Sequence, residues 1–148
     1  MPELRGIGIG QGVAQGPVAR MSAPLPAPAD VPSALDVETE KARVTVAVAA
    51  VARELEARGE LAGGAAQEVL EAQAMMAEDP TLEEEVHTRL ADGKTAEWAV
   101  WDAFASFRDQ LSAMGGYLGE RAPDLADVDQ RVIAPLLGGA PRAVPRRR

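Results

Sequence analysis

A single histidine and a cluster of carboxylates are the side chains whose type and spacing could do chemistry here. The chain has no cysteine, and His87 is its one histidine, which excludes thiol catalysis, Cys-ligated zinc and any mechanism that needs two imidazoles. Helical geometry places His87 about 100° from the inward-facing Val86, beside the acids Glu83–Glu85. A surface position is therefore favoured over a metal or haem ligand, and no Ser-His-Asp arrangement can be proposed.

Acidic residues surround a methionine pair in the middle of the chain. Seven carboxylates and no Lys or Arg occur between Glu68 and Glu85, on both sides of Met75-Met76. A run of charge is usually a solvated helix face. An acidic rim around adaptable methionines is also typical of a surface that binds a basic protein. From the residues alone, both interpretations stay open.

The glycine-rich opening has only a superficial likeness to a phosphate-binding loop. Glycine alternates with other residues over Gly6–Gly16, but Val13 and Gln15 stand where G-x-G-x-x-G requires its third glycine. A proline-rich segment follows instead of a helix N-terminus that could hold phosphate. We therefore expect no nucleotide site, and predict short strands over residues 1–21 with a turn near Gly10–Gly12.

Composition narrows the class of protein. The 148 residues include 15 Lys and Arg against 23 Asp and Glu, a net charge of −8, in the length of one ordinary domain. Such a charge disfavours nucleic acid and anionic membrane surfaces as partners. No apolar run is long enough to span a bilayer and no signal peptide is recognisable. These features predict a cytoplasmic protein.

Helical periodicity predicts an all-α fold, an antiparallel bundle. The aromatic residues all lie between Trp98 and Tyr117, on a helix whose apolar positions step by four and three, so that helix is expected to anchor the core. A proline-rich linker is predicted over 22–32, the helical domain over 33–138 and a disordered arginine-rich tail over 139–148. The helices are expected over Ser33–Arg58, Ala65–Glu78, Pro80–Ala91 with Asp79 as N-cap, from Thr95 as N-cap to the break at Gly115-Gly116, and Asp124–Leu137. Their predicted inward positions include Val44, Val51, Leu55, Val69, Met75, Val100, Phe104, Phe107, Leu111 and Met114.

Four segments in order carry a family resemblance. Gly6–Gly16 is similar to a G-I-x-x-(S/P)-x-G-x-A-x-G opening, Glu71–Leu82 to E-x-H-x-M-(L/M)-x-E-D-P-x-L, Thr95–Val100 to T-A-E-x-A-V, and Tyr117–Asp124 to Y-L-x-E-R-A-x-D. Over residues 4–139 the chain thus resembles the N-terminal part of Enzyme I, the phosphoenolpyruvate–protein phosphotransferase of the bacterial sugar phosphotransferase system. The second segment is the most specific, and none separates the sugar branch from the nitrogen-regulatory branch.

The resemblance implies a layout and a division of labour. The helices would form a four-helix bundle, inserted into an α/β phosphohistidine subdomain, that binds the small phosphocarrier protein HPr. The parent enzyme would pass phosphoryl from phosphoenolpyruvate to its own histidine and then to HPr, with magnesium in a separate barrel. The phosphohistidine motif G-G-x-T-S-H-x-(A/S)-I does not occur here. The chain is therefore expected to be an inactive fragment that only docks HPr, a monomer with no catalytic residue, metal or cofactor of its own.

The resemblance also implies a docking surface, made of Glu71, Met75, Met76, Glu78, Asp79, Leu82, Tyr117, Leu118 and Arg121. The methionines and Leu82 would be its apolar anchor, and the three carboxylates would meet basic residues of HPr. Arg121 would pair with an acid on the partner or with Asp124. Three positions depart from the family pattern. Gln73 occupies a position where the family often has histidine, Pro123 one where it has a helix-forming residue, and Ala126 one where it often has arginine. The alternatives are a generic acidic interaction bundle and a bundle cytochrome.

Overall fold

A computed structural model describes residues 5–13, 15–18, 20 and 23–138. The described residues confirm the all-α fold, and no helix among them is long and apolar enough to cross a membrane. The helices are α1 Val37–Ala62, α2 Gly64–Ala77, α3 Pro80–Ala91, α4 Ala96–Met114, α5 Gly116–Glu120 and α6 Ala122–Leu136.

Two short interruptions group the helices into four segments. Glu78 and Asp79 separate α2 from α3, and Gly115, at φ +65°, separates α4 from the single turn of α5. The segments α1, α2–α3, α4–α5 and α6 form the predicted four-helix bundle. Helix α1 packs mainly on α2, α4 packs on α3 and α6, and α6 also contacts α1 and α2.

The core lies between these segments and confirms the inward face predicted for α4 from Val100 to Leu111. Phe104 is 2% exposed and is the largest fully buried side chain among the described residues. It belongs to one buried cluster with aliphatic side chains from the other segments: Leu55 of α1, Leu82 and Leu90 of α3, and Leu125, Val128, Val132 and Ile133 of α6. The fully buried part of the core is thus aliphatic apart from Phe104.

The N-caps at Asp79 and Thr95 are confirmed, whereas the predicted start of α1 at Ser33 is wrong. Helix α1 begins after Asp36, whose carboxylate accepts a hydrogen bond from the Thr39 backbone N–H at 2.8 Å. Ser33 donates its hydroxyl to the buried Glu40 and accepts from the Leu35 N–H. Ser33 therefore serves a buried carboxylate rather than a helix end.

The predicted end of α1 at Arg58-Gly59 is also wrong, because α1 continues to Ala62. Gly59 is buried inside the helix, where α2 crosses closely: a Cβ at this position would lie 3.4 Å from the backbone oxygen of Gln67. The helix ends instead at Gly63, whose φ of +66° favours glycine. Glycine at 59 thus provides close packing between two helices.

The last helix begins slightly before the predicted residue and ends close to the predicted one. Helix α6 spans Ala122–Leu136 rather than Asp124–Leu137. Pro123 lies in its first turn, where its missing N–H has no intrahelical acceptor to satisfy, so it does not interrupt the helix. Pro135 lies in the last turn and the helix ends just after it.

The predicted N-terminal strands are not found in the described part of that segment. Residues 5–13, 15–18 and 20 form no strand, although the chain bends at Gly10–Gly12. The side chains there face solvent: Ile7 and Ile9 are almost fully exposed. Isolated strands are marginal in water, and the described residues supply no sheet for them to join. The predicted tail, 139–148, lies outside the described residues.

The proline-rich residues 23–32, here called the strap, lie along the bundle. Leu25 is partly buried against the core and its N–H donates to Gln130 Oε1 of α6 at 2.6 Å. At the other end Asp30 pairs with Lys94 at 2.6 Å, and an isolated bridge joins Pro32 to the same residue. The strap is therefore fastened to the bundle at both ends.

One buried carboxylate connects three helices with Ser33, the residue that follows the strap. Glu40 of α1 is 2% exposed, and its Oε2 accepts from Arg43 Nη1 at 2.6 Å and from the Ala96 N–H at the start of α4 at 3.3 Å. Arg43 Nη2 in turn donates to the Leu136 carbonyl of α6 at 3.0 Å. Each buried oxygen has a partner, which is the condition under which a buried charge is tolerated.

Candidate docking surface

The corner between α2 and α3 carries an exposed apolar spot with acids beside it. Met75, Met76, Glu78, Asp79 and Pro80 line one open groove. Met75 is 74% exposed, whereas Met76 is half-buried and packs against the core. The structure therefore leaves Met75 open to solvent and keeps much of Met76 inside.

Asp79 is held by the backbone of its own helix. Its Oδ1 accepts hydrogen bonds from the N–H groups of Thr81 at 2.8 Å and Leu82 at 3.1 Å, and Pro80 occupies the first turn. This N-cap fixes the corner that carries the methionines. Asp79 is thus first a structural residue, with its Oδ2 not engaged in that cap.

The prediction that Leu82 forms part of an exposed anchor is wrong. Leu82 is 1% exposed and lies in the core with Val86 and Leu90. These three residues are four apart, so they share the inward face of α3. Leu82 can position the corner but cannot contact a partner in this structure.

The acids around the corner differ in how far they are neutralised. Glu85 pairs with Arg89 at 2.7 Å, and Glu71 accepts a hydrogen bond from Gln67 at 2.7 Å. Within the described residues, no salt bridge engages Glu71, Glu78 or the exposed Glu84. The rim therefore keeps negative charge that a basic partner could neutralise.

The second part of the predicted surface lies on α5. Tyr117 is 67% and Leu118 46% exposed. Arg121 Nη2 donates to the Tyr117 hydroxyl at 2.6 Å, its guanidinium lies 4.8 Å from the Tyr117 ring centre, and its Nη1 is 3.4 Å from Asp124. This hydrogen bond to the Tyr117 hydroxyl raises the pKa of Arg121. Arg121 is thus paired within the chain, the second of the two predicted arrangements.

Helix α6 supports both parts of the surface. Helix α2 packs on α1 and α6, and α5 packs on α4 and α6.

Gln73, at the position where the resembled family often has histidine, is buried on α2. It is therefore a packing residue in this structure.

Three apolar residues predicted to point inward are exposed. Met114 is 65% exposed because α4 ends at Gly115, so no neighbouring helix covers the end of the apolar stripe that begins at Val100. Val69 and Met75 are 46% and 74% exposed on α2. Gly115-Gly116, directly after Met114, could have indicated this exposure from the sequence, since a helix end leaves its last side chains without a facing helix.

His87 has no ligand set around it. Its side chain is one-third exposed and its Nε2 lies 3.8 Å from Glu83 Oε1. In the part of the chain that the structure describes, no three His, Cys, Asp or Glu residues are grouped so as to hold a metal ion.

Comparison with known proteins decides the family. Residues 5–121 match the model of the N-terminal part of PEP-utilising enzymes. The chain belongs to this family.

Relatives of this PEP-utilising enzyme N-terminal chain are named phosphoenolpyruvate-protein phosphotransferases. The relative from Streptomyces coelicolor is 52% identical over 143 residues, 96% of this chain and 26% of its own length. The one from Bacillus subtilis is 31% identical over 144 residues, 93% of this chain and 25% of its own. The chain thus spans about a quarter of these curated relatives.

Two solved structures share the fold. The N-terminal domain of "Enzyme 1 - Nitrogen" matches with a TM-score of 0.70 at 29% identity, over 79% of this chain and 52% of that one. A solution structure of Enzyme I matches with a TM-score of 0.64 at 31% identity, over 74% and 48%. The family match includes the glycine-rich opening from residue 5, so that segment belongs to the family unit although its described residues form no strand.

Proposed function

We propose that this chain is the partner-docking part of a phosphoenolpyruvate–protein phosphotransferase and that its bundle binds the phosphocarrier protein HPr. The observation that carries the proposal is the α2–α3 corner, where exposed Met75 lies in a groove beside the unpaired acid Glu78. Membership of the PEP-utilising enzyme family and the names of the relatives support the assignment to a phosphotransferase.

The side chains at the α2–α3 corner indicate which kind of partner would bind there. An exposed methionine adapts its shape to an apolar side chain, and unpaired carboxylates attract a basic surface and speed its approach. Exposed Tyr117 and Leu118 supply a second apolar contact on α5. The proposed partner therefore has a small apolar patch within a basic surface.

The proposed part played by this chain is binding without catalysis. Phosphoryl transfer through an enzyme histidine needs an activated imidazole, and His87 is the one imidazole here, on α3 beside Glu83 and away from any phosphohistidine motif. We also propose that the chain is cytoplasmic and monomeric, and that its net charge of −8 keeps it from nucleic acid and anionic membranes. Incubation with labelled phosphoenolpyruvate and magnesium should leave it unlabelled.

The location of the site can be tested by NMR. Addition of unphosphorylated HPr to the labelled chain is expected to shift backbone amide signals of residues 71–79 and 114–121. Shifts confined to other surfaces, such as the outer face of α1, would refute this placement.

A matched pair of variants separates the site from general effects of charge. Met75→Asp should weaken HPr binding at least tenfold, because it places a charge in the apolar contact. Val46→Asp is the control: Val46 is 68% exposed on α1, so it adds the same charge elsewhere and should leave affinity within twofold. Equal losses in both variants would contradict the proposal.

A further inference from the structure

A partly enclosed cleft lies between α1 and α3 and reaches the core. Its volume is about 190 Å³. The buried residues among its lining form its floor: Val44 of α1, Ala77 of α2, Leu82 and Val86 of α3, and Val100 and Phe104 of α4. Protein interiors are normally packed with few voids larger than a water molecule. A space of this size beside the core is therefore a candidate binding site.

The cleft stays open because the side chains that face it from α1 are short. Thr45, Val48 and Ala49 line it together with Val44, and their spacing places all four on one side of the helix. Ala77, the last residue of α2, is equally small. These short side chains leave the space between α1 and α3 unfilled.

The floor of the cleft favours an apolar group of about the size of one ring. An apolar cavity of about 150 Å³ lined by Leu, Ile and Phe stays dry and binds benzene. The floor here has a similar lining of Ala, Val, Leu and Phe side chains, which offer water no hydrogen bond. A small apolar group that displaces water from this floor is therefore bound favourably.

The mouth of the cleft carries negative charge. Exposed Glu78 and Glu83 line it together with half-buried His87. In the described part of the chain Glu78 forms no salt bridge, and Glu83 Oε1 lies 3.8 Å from His87 Nε2. The nearby cation Lys41, in the groove that adjoins Glu83 and His87, is paired with Glu38 at 3.3 Å. The two carboxylates therefore attract a cationic group at the mouth and repel an anionic one.

We propose that the cleft between α1 and α3 binds a small primary amine that carries one apolar ring. The ring lies on the floor against Leu82, Val86 and Phe104, and the ammonium lies at the mouth beside Glu78 and Glu83. A short chain between ring and nitrogen lets one molecule satisfy both parts of the site. Binding requires no HPr, so this proposal is independent of the proposed docking function.

NMR titration of the complete, methyl-labelled chain with phenethylamine tests the site. The methyl signals of Val48, Leu82 and Val86 are expected to shift in a saturable way, with a Kd of about 1 mM for so small a ligand. Shifts centred on another groove, such as the one beside Val46 and Pro135, would overturn the proposal. Absence of saturable shifts at about ten times that concentration would also overturn it.

Two further ligands of similar size separate the effect of charge from that of the ring. Phenethyl alcohol is neutral and phenylacetate is anionic. Affinity should decrease from the amine to the alcohol to the acid, with the acid about tenfold weaker than the amine, because the mouth carboxylates are exposed and act in high dielectric. Equal affinities of the three ligands would show that the mouth does not select a cation, which would overturn the proposal.

A matched pair of alanine variants locates the ring. Ala49→Leu fills the cleft from its half-buried wall and should abolish binding. Ala50→Leu adds the same side chain at the next residue, which is exposed and outside the lining, and should leave the affinity within twofold. Unchanged affinity in Ala49→Leu, shown by circular dichroism to be helical, would contradict the placement of the ring.

A matched pair of glutamate variants locates the ammonium. Glu83→Gln should lower the affinity for phenethylamine about two- to fivefold and leave that for phenethyl alcohol unchanged. Glu56→Gln, at an exposed position of α1 outside the lining, should change neither. Equal losses for the amine and the alcohol in Glu83→Gln would contradict the role given to the mouth.

Discussion

Carboxylates in this chain serve three purposes that composition alone does not distinguish. Asp36 and Asp79 cap helices, Glu40 and Asp129 are buried, and Glu78 is exposed at the candidate docking surface. The net charge of −8 therefore overstates the charge available to a partner. Which purpose each acid serves depends on the helix that packs over it.

Glu40 should be the most costly of these acids to remove. Glu40→Ala is expected to lower the unfolding free energy by about 2–4 kcal/mol, because it leaves Arg43 and the Ala96 N–H without their acceptor. Glu38→Ala on the same helix, where the side chain is 84% exposed, should change it by about 0.5 kcal/mol or less. Urea unfolding measures both, and equal effects would contradict the role given to Glu40.

Asp129 should make stability depend on pH. Its pKa in the fold is about 6 and its ordinary value is 3.8, so the folded state binds more protons between these values. Its contribution to the unfolding free energy therefore declines as pH rises from about 4 to 7. Relative to wild type, Asp129→Asn should gain stability across this range, on the order of 3 kcal/mol in total. A difference independent of pH in urea unfolding would show that Asp129 is not desolvated.

The two adjacent methionines should respond differently to a charge. Met76→Asp is expected to cost about 1–3 kcal/mol of stability because Met76 packs on the core, whereas Met75→Asp should cost about 0.5 kcal/mol or less. Thermal unfolding followed by circular dichroism compares them. A larger cost at Met75 would mean that the burial of the two side chains is reversed.

Among the elements, the α2–α3 corner shows most clearly how local sequence and packing divide the work. Asp79 and Pro80 define the start of α3 locally, as an N-cap followed by proline in the first turn. The start of this helix could therefore be predicted from the sequence. The burial of Leu82 is also local, since Leu82, Val86 and Leu90 form one helical stripe. The stripe thus disagrees with the resemblance, which placed Leu82 in the docking surface, and the structure follows the stripe.

The cap and the charge of Asp79 can be separated. Asp79→Ala should destabilise the protein by about 1 kcal/mol, whereas Asp79→Ser keeps a capping oxygen and should lose only a few tenths. If the carboxylate also meets HPr, Asp79→Ser will weaken binding while stability is retained. Equal stability of the two variants in urea unfolding would show that the cap contributes little.

Other element boundaries depended on contacts between elements and not only on the local pattern. Gly59 has the appearance of a helix stop, yet it is buried where α1 meets Gln67 of α2. Ser33 has the spacing of a cap, yet its hydroxyl serves Glu40. The alternation of the opening predicts strands, yet pairing needs a sheet that the described residues do not contain. In each case the local signal was real and a tertiary contact, or its absence, decided the outcome.

For the whole molecule, the order of helices and motifs along the chain gave more information about fold and family than any single residue did. The helix pattern was sufficient for an all-α bundle, and four motifs in sequence indicated the family that residues 5–121 then matched. The two-part docking surface could be only partly foreseen, because exposure of Met75 and Met114 depends on where neighbouring helices end. The burial of Asp129 could not be foreseen, since it depends on the packing of α6 against α4, where Arg108 meets it.

Calorimetric titration with unphosphorylated HPr at low and high salt tests whether this bundle docks HPr through an acidic surface. We expect saturable one-to-one binding that weakens as salt increases, because screening reduces attraction between exposed charges. No binding at either salt concentration, from a chain shown by circular dichroism to be helical, would contradict it.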